Sequence, residues 1–109
     1  MSDAETILSR DISRDELAAE LGRLVPAFKA NGAAHMVLFG SRARGDNRTD
    51  SDVDLMFDVA ADRKFSLVEV AGIALTVEQE LGLRGNVFLR RSADAELVDE
   101  ANRHGIIIF

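Results

Sequence analysis

The sequence predicts one α+β (α/β-like) domain, a single sheet of about four strands with helices packed on it. Three observations carry this. Short apolar runs alternate with helical stripes along the chain, so a sheet with helical cover is the expected architecture. A length of 109 residues suits one domain with a modest core. With no cysteine, 47% hydrophobic and 29% charged residues, stability must come from apolar burial in an ordinary globular composition. Residues 1–109 are read as that single domain, with residues 1–12 as a loosely ordered N-terminal segment.

Taken in order, Ser13 with Glu16 reads as a capping box, and Leu17, Leu21, Leu24, Val25 and Phe28 follow on one helical stripe. Pro26 disfavours helical geometry at Val25, so this helix should kink or restart there before Asn31-Gly32 closes it. The run AHMVLFG, 34–40, is short, apolar and bounded by turn residues, as a buried strand would be. SDVDLMFDVA, 51–60, alternates: Asp52, Asp54, Met56 and Asp58 share one face, Val53, Leu55, Phe57 and Val59 the other. Ser66 with Glu69 reads as a second capping box, opening a helix that carries Leu67, Val70, Ile73, Ala74, Val77 and Leu81 and ends at Gly82. NVFLRR, 86–91, is a third strand. Ser92 is expected to cap an amphipathic helix with Leu97, Val98 and Ala101 inward, Gly105 to stop it, and IIIF to form a terminal strand.

Composition also excludes. Without cysteine there is neither a disulfide framework nor a thiolate metal site. No leader-like N-terminus and no long apolar run is present, so no membrane is expected and the cytoplasm is the default compartment. A net charge of −6 argues against direct nucleic-acid binding by a general basic field. Any phosphate must be met by a local device.

One stretch offers such a device: LFGSRARGDNRTDSDVDLMF, 38–57. A strand ending in Gly40-Ser41 and running into a helix start presents backbone N–H groups that favour an anion. Gly40 allows close approach, Ser41 can cap and donate its hydroxyl, and Arg42 or Arg44 can neutralise phosphate oxygens. Plain helix capping is the competing explanation of the turn. Asp52 and Asp54, two apart on a strand, project from one face roughly 6–7 Å apart along the backbone. Together they could hold Mg²⁺, which takes one or two carboxylates plus phosphates and water, although a solvated strand face would look the same in isolation. The two features together would place a nucleoside triphosphate between turn and carboxylates.

GSRARGDNRTDSDVDL resembles the Gly-Ser, ten residues, Asp-x-Asp signature of polymerase-beta-like nucleotidyltransferases. Within that superfamily it is similar to the minimal nucleotidyltransferases (MNT), antitoxins paired with HEPN ribonuclease toxins. The resemblance implies a mixed sheet, Mg²⁺-dependent use of ATP, and transfer of AMP to a hydroxyl, a tyrosine of the HEPN partner. It also implies that Gly40 and Ser41 hold the triphosphate, Arg42 and Arg44 lie along it, and Asp52 and Asp54 are the catalytic metal ligands. The chain departs from the pattern at Phe88, which stands where a third carboxylate is expected in a V-D-L context. Phenylalanine cannot bind metal or help remove a proton, so catalysis is expected to be impaired. Asp58 lies about 13 Å beyond Asp54 along its strand. Asn86 is on the right face but is expected at the wrong depth.

The remaining polar residues have plain explanations. His35 sits at a strand entrance and His104 near a helix C-terminus. Arg90-Arg91 is read as a polar strand end, and Asp46, Arg48 and Asp50 as solvated loop charges. Three functions follow: an AMP-transferring antitoxin, a degenerate nucleotide-binding or partner-masking antitoxin, and a small-molecule nucleotidyltransferase. The last needs an acceptor domain for which the chain has little room. A partner is expected to supply one wall of the site, in a homo- or hetero-oligomer; the helix over 66–82 could offer it an apolar surface through Ala71, Ile73, Ala74 and Leu75, or both of its sides could pack inside the domain.

Overall fold

The computed structural model describes residues 8–64 and 66–109. Its elements are α1 (Arg14–Arg23), α2 (Val25–Ala30), β1 (His35–Phe39), α3 (Ser41–Arg44), β2 (Val53–Asp58), α4 (Leu67–Leu81), β3 (Gly85–Leu89), α5 (Ala95–His104) and β4 (Ile106–Ile107). The strands form one mixed sheet in the order β3-β2-β1-β4. β1 pairs antiparallel with both β2 and β4, and β2 pairs parallel with β3 through the crossover helix α4. This is the α+β layer arrangement that the alternation of apolar runs predicts.

The alternation along each strand divides the core in two. Met36 and Leu38 of β1 and Val53, Leu55 and Phe57 of β2 point to one face, where Leu17, Leu21, Phe28, Ile73, Val77 and Leu81 from α1, α2 and α4 cover them. Complete burial of side chains such as Leu17, Leu21 and Phe28 stabilises by roughly 1.5–3 kcal/mol each. The opposite face carries a smaller cluster of Phe39, Met56 and Ala101, with Phe88, Leu97 and Val98 packed on it. α5 lies over that face, and its inward residues are those expected from its amphipathic pattern. The carboxylate-bearing face of β2 is therefore covered by a helix along part of its length.

Several local expectations are refined. Pro26 falls in the first turn of α2; the helix breaks at Leu24 and restarts at Val25, which is helical despite the proline that follows it. Ser13 caps α1 by accepting from the Glu16 N–H at 3.2 Å, while its hydroxyl donates to the Glu16 carboxylate at 3.0 Å. Ser66 occupies the N-cap of α4 but makes no side-chain cap bond; Glu69 lies 3.7 Å from Arg63 instead. Ser92 does not cap α5, because Arg90–Ser92 form a 3₁₀ turn and the helix starts two residues later, behind Asp94. On α4, Ile73 is buried, Ala71 is exposed, and the exposed large apolar residues are Leu67, Val68 and Leu75. Beyond β4, Met36 keeps pairing with the C-terminus: its N–H donates to the Phe109 carbonyl at 3.0 Å, and its carbonyl accepts from Ile108 at 2.9 Å. Among the described residues no helix is long and apolar enough to cross a membrane.

Residues 8–12 depart from the expected looseness, and residues 1–7 lie outside the described residues. Ile12 is buried in the main core. The Arg10 N–H donates to the Thr49 carbonyl at 2.7 Å, and its guanidinium grips Glu20 with two bonds of 2.9 Å and the Leu81 carbonyl at 3.1 Å. The connection from β1 to β2 is fastened from within by Arg42, which is 1% exposed. Its Nε donates to the Ser51 carbonyl at 2.9 Å and its Nη2 to the Thr49 carbonyl at 3.0 Å. A guanidinium fork satisfies two diverging carbonyls that an ammonium cannot reach together. Arg42→Lys should therefore keep the charge yet lower stability by about 2 kcal/mol, read as a lower urea midpoint at unchanged m-value.

Candidate functional site

Asp54 stands directly across the β1–β2 ladder from Phe39, the last residue before the Gly-Ser turn. This register brings the turn and the carboxylates together. Gly40 has φ 76° and ψ −160°, a conformation that favours glycine, and a Cβ there would overlap Oδ2 of Asp54 and stand 3.0 Å from its Cγ. Ser41 opens α3, whose first N–H groups come too early for an intrahelical partner. The Gly40 carbonyl accepts from the N–H groups of Ala43 and Arg44, each at 3.1 Å, and Gly45 ends the turn at φ 86°. The Gly-Ser turn and the Asp54 carboxylate thus lie so close that any side chain at residue 40 would clash.

The two aspartates share one partner. Asn86 lies opposite Asp54 in the parallel register, and its Nδ2 donates to Asp52 Oδ2 at 2.8 Å and to Asp54 Oδ1 at 3.2 Å. The expectation that Asn86 sits at the wrong depth is overturned. Two residues along the same strand face, Phe88 pairs with Met56 and stacks its ring 5.8 Å from that of Phe39, at 59°. Its side chain belongs to the small core under α5.

The arginines separate. Arg42, expected along a triphosphate, is instead folded into the loop beneath the turn. Burial and the neighbouring Arg10 lower its pKa, against the raising influence of Asp50 and Asp52. Arg44 is half-exposed and stays at the site, paired with Asp46 at 3.2 Å and with Glu100 of α5. These pairings, the Asp46 bond first, raise its pKa. Glu100 was not singled out from the sequence, since only the docking of α5 across the sheet brings it near. Arg14 also reaches the turn, donating to the Ala43 carbonyl at 3.3 Å. Asp58 is remote from the pair and is held by His35 at 3.2 Å and Arg90 at 3.1 Å.

Burial holds the Asp54 carboxyl above its ordinary range, and the charges of Asp52 and Glu100 push the same way; the Asn86 hydrogen bond and Arg44 pull it down. Among the described residues no group of three His, Cys, Asp or Glu side chains converges on one point. The donor set is a pair of carboxylates, an amide and open backbone N–H groups. Hard oxygen ligands beside an anion cradle fit a magnesium–phosphate species and give no soft or imidazole ligand for a transition metal.

The model of the polymerase beta nucleotidyltransferase family matches residues 23–109, and the chain belongs to that family. No curated protein matches it. Among solved structures, one described as a minimal nucleotidyltransferase has a TM-score of 0.72 at 29% identity, covering 87% of this chain and 95% of that one. A toxin–antitoxin structure with AMP-PNP has a TM-score of 0.70 at 20% identity, covering 83% and 72%. A complex of tri-AMPylated Shewanella oneidensis HEPN toxin with MNT antitoxin has a TM-score of 0.65 at 16% identity, covering 84% and 70%. The last two likenesses establish the fold.

Two outcomes follow from this geometry. Gly40→Ala should cost at least tenfold in any nucleotide affinity measured by calorimetry, because the methyl group displaces Asp54 and strains the turn. Asp54 has its pKa raised on folding, so its contribution to stability is fully present only below the unfolded value and is lost as pH rises through the folded one. Asp54→Asn should consequently melt a few degrees higher than wild type at pH 7, and that advantage should shrink as pH falls toward 3.8.

Proposed function

We propose that the chain is a Mg²⁺-dependent nucleotidyltransferase acting as an antitoxin, which transfers AMP from ATP to a hydroxyl, a tyrosine, of a partner HEPN ribonuclease. The observation that supports this reading is the abutment of Gly40 on Asp54, which puts the Gly-Ser turn beside the carboxylate pair. Membership of the nucleotidyltransferase family supports the reaction class, and the MNT–HEPN complexes among the fold neighbours support the partner. In this reading Gly40 and Ser41 cradle the phosphates by their backbone N–H groups, and Arg44 balances charge at the rim. Asp52 and Asp54 would hold Mg²⁺, which when bound supplies charge neutralisation and orientation at the phosphates. The acceptor oxygen forms a bond to the α-phosphorus, the bond to the pyrophosphate oxygen breaks, and the hydroxyl proton leaves to water. Arg42 contributes indirectly, by fixing the loop that joins turn to carboxylates.

A second reading is favoured by the side chains of β3. Asn86 and Phe88 offer no negative charge beside the aspartate pair, so activation of the acceptor hydroxyl is weak and the domain acts by holding nucleotide or masking its partner. Calorimetric titration of ATP with and without Mg²⁺ tests both. Binding should depend on Mg²⁺ and fall at least tenfold in Asp52→Ala, Asp54→Ala. Incubation with ATP and a candidate HEPN ribonuclease partner should then add AMP to that partner, detected by intact mass. Inhibition of the toxin by the double variant, without any mass change, would leave the masking reading; ATP binding indifferent to Mg²⁺ and to both substitutions would end the nucleotidyltransferase reading.

A further inference from the structure

The family resemblance points to residue 88 of β3 as the place of a third acidic ligand, whereas the register points elsewhere. We propose that Asn86, not Phe88, occupies the third arm of the divalent-cation site in this chain, as a neutral amide in place of a carboxylate. The inference rests on the nucleotidyltransferase reading and concerns this chain's own departure from it.

Three observations converge. Asn86 faces Asp54 across the β2–β3 ladder, on the strand face that carries both aspartates. Its terminal nitrogen lies 2.8 Å from Asp52 Oδ2 and 3.2 Å from Asp54 Oδ1. Neighbouring ligands of an octahedral ion with 2.0–2.1 Å bonds are about 2.9 Å apart, so the head of this side chain stands at ligand spacing from both carboxylates. Phe88, by contrast, is bound into the apolar cluster of Phe39, Met56 and Ala101, and a carboxylate there would be set among these side chains.

The amide chemistry explains how one residue serves the site with and without a cation. An NH₂ group has two hydrogens, and here it gives one to each aspartate, relieving the repulsion between like charges. Half a turn about the terminal torsion places Oδ1 at the same point, where a cation would be faced by an oxygen instead. The acidic charge of the site then stays at that of the two aspartates. A neutral third arm can orient an ion, but it neither adds charge to bind a second one nor takes a proton from an acceptor hydroxyl.

The test uses Mn²⁺ alone as probe, without nucleotide, on the full chain. Asn86→Asp is isosteric and sets a third oxygen at 2.8 and 3.2 Å from the other two. It should tighten Mn²⁺ binding, followed by the paramagnetic resonance of the free ion, at least tenfold, while Phe88→Asp changes it less than twofold. Melting provides a second readout that survives poor folding. Asn86→Asp should be destabilised in EDTA and recover in Mn²⁺ by more than wild type does, since binding to the native state alone raises its stability. Tighter Mn²⁺ binding in Phe88→Asp, or an Asn86→Asp protein indifferent to Mn²⁺ in both measurements, overturns the assignment. Either failure alongside Mg²⁺-dependent ATP binding by wild type removes only the role of Asn86; loss of that Mg²⁺ dependence removes the nucleotidyltransferase reading itself.

Discussion

The contact of the Gly40 backbone with the Asp54 carboxylate across the β1–β2 ladder is the constraint on which the site depends. It exists because β1 and β2 are antiparallel and Phe39 is paired with Asp54, so the turn leaving one strand falls beside the carboxylate entering the other. A side chain at residue 40 would collide with that carboxylate. Packing keeps the contact in place. Leu38 and Leu55, also paired, are wholly buried beneath α1, α2 and α4, and a one-residue slip would exchange these leucines for the aspartate face.

The two faces of the sheet do different work. Beneath the larger helical layer the buried apolar side chains form one continuous cluster. Under α5 the apolar cluster covers only part of the face, and the strand ends bearing Asp52, Asp54 and Asn86 emerge beside it. Asp54 is desolvated enough for its carboxyl to resist ionisation, a state relieved by positive charge. Asn86 supplies part of that relief through hydrogen bonds and Arg44 part through its charge. A group held in such balance costs stability, and carboxylates of this kind cluster at functional sites.

The arginines of the motif illustrate how charge of one sign is divided between tasks. Arg42 and Arg44 are two residues apart in a single helical turn, so they point in different directions. One enters the loop and binds carbonyl oxygens; the other stays at the surface between Asp46 and Glu100. The buried one fixes geometry, and exposed pairs of the second kind add little to stability. Arg10 and Arg14 extend the same logic to the N-terminal segment, which is anchored because its backbone and guanidinium groups find loop and helix carbonyls.

The strands, the restart at Pro26, the burial pattern and the Gly-Ser to Asp-x-Asp spacing were legible in the sequence, because they depend on periodicity and on residues with strong local preferences. Ser66 and Ser92 were less legible, since a capping residue is chosen by where the chain turns, and the 3₁₀ turn at Arg90–Ser92 shifted the helix start to Asp94. Sequence alone determined the alternating layers, the two-sided chemistry of β2 and the family resemblance carried by residues 40–54. Only the tertiary structure decided which arginine is buried, that Glu100 reaches Arg44, and that Asn86 rather than Phe88 touches both aspartates. The reason is physical: these are contacts between residues far apart in the chain, set by strand register and helix docking, and neither is encoded in any local stretch.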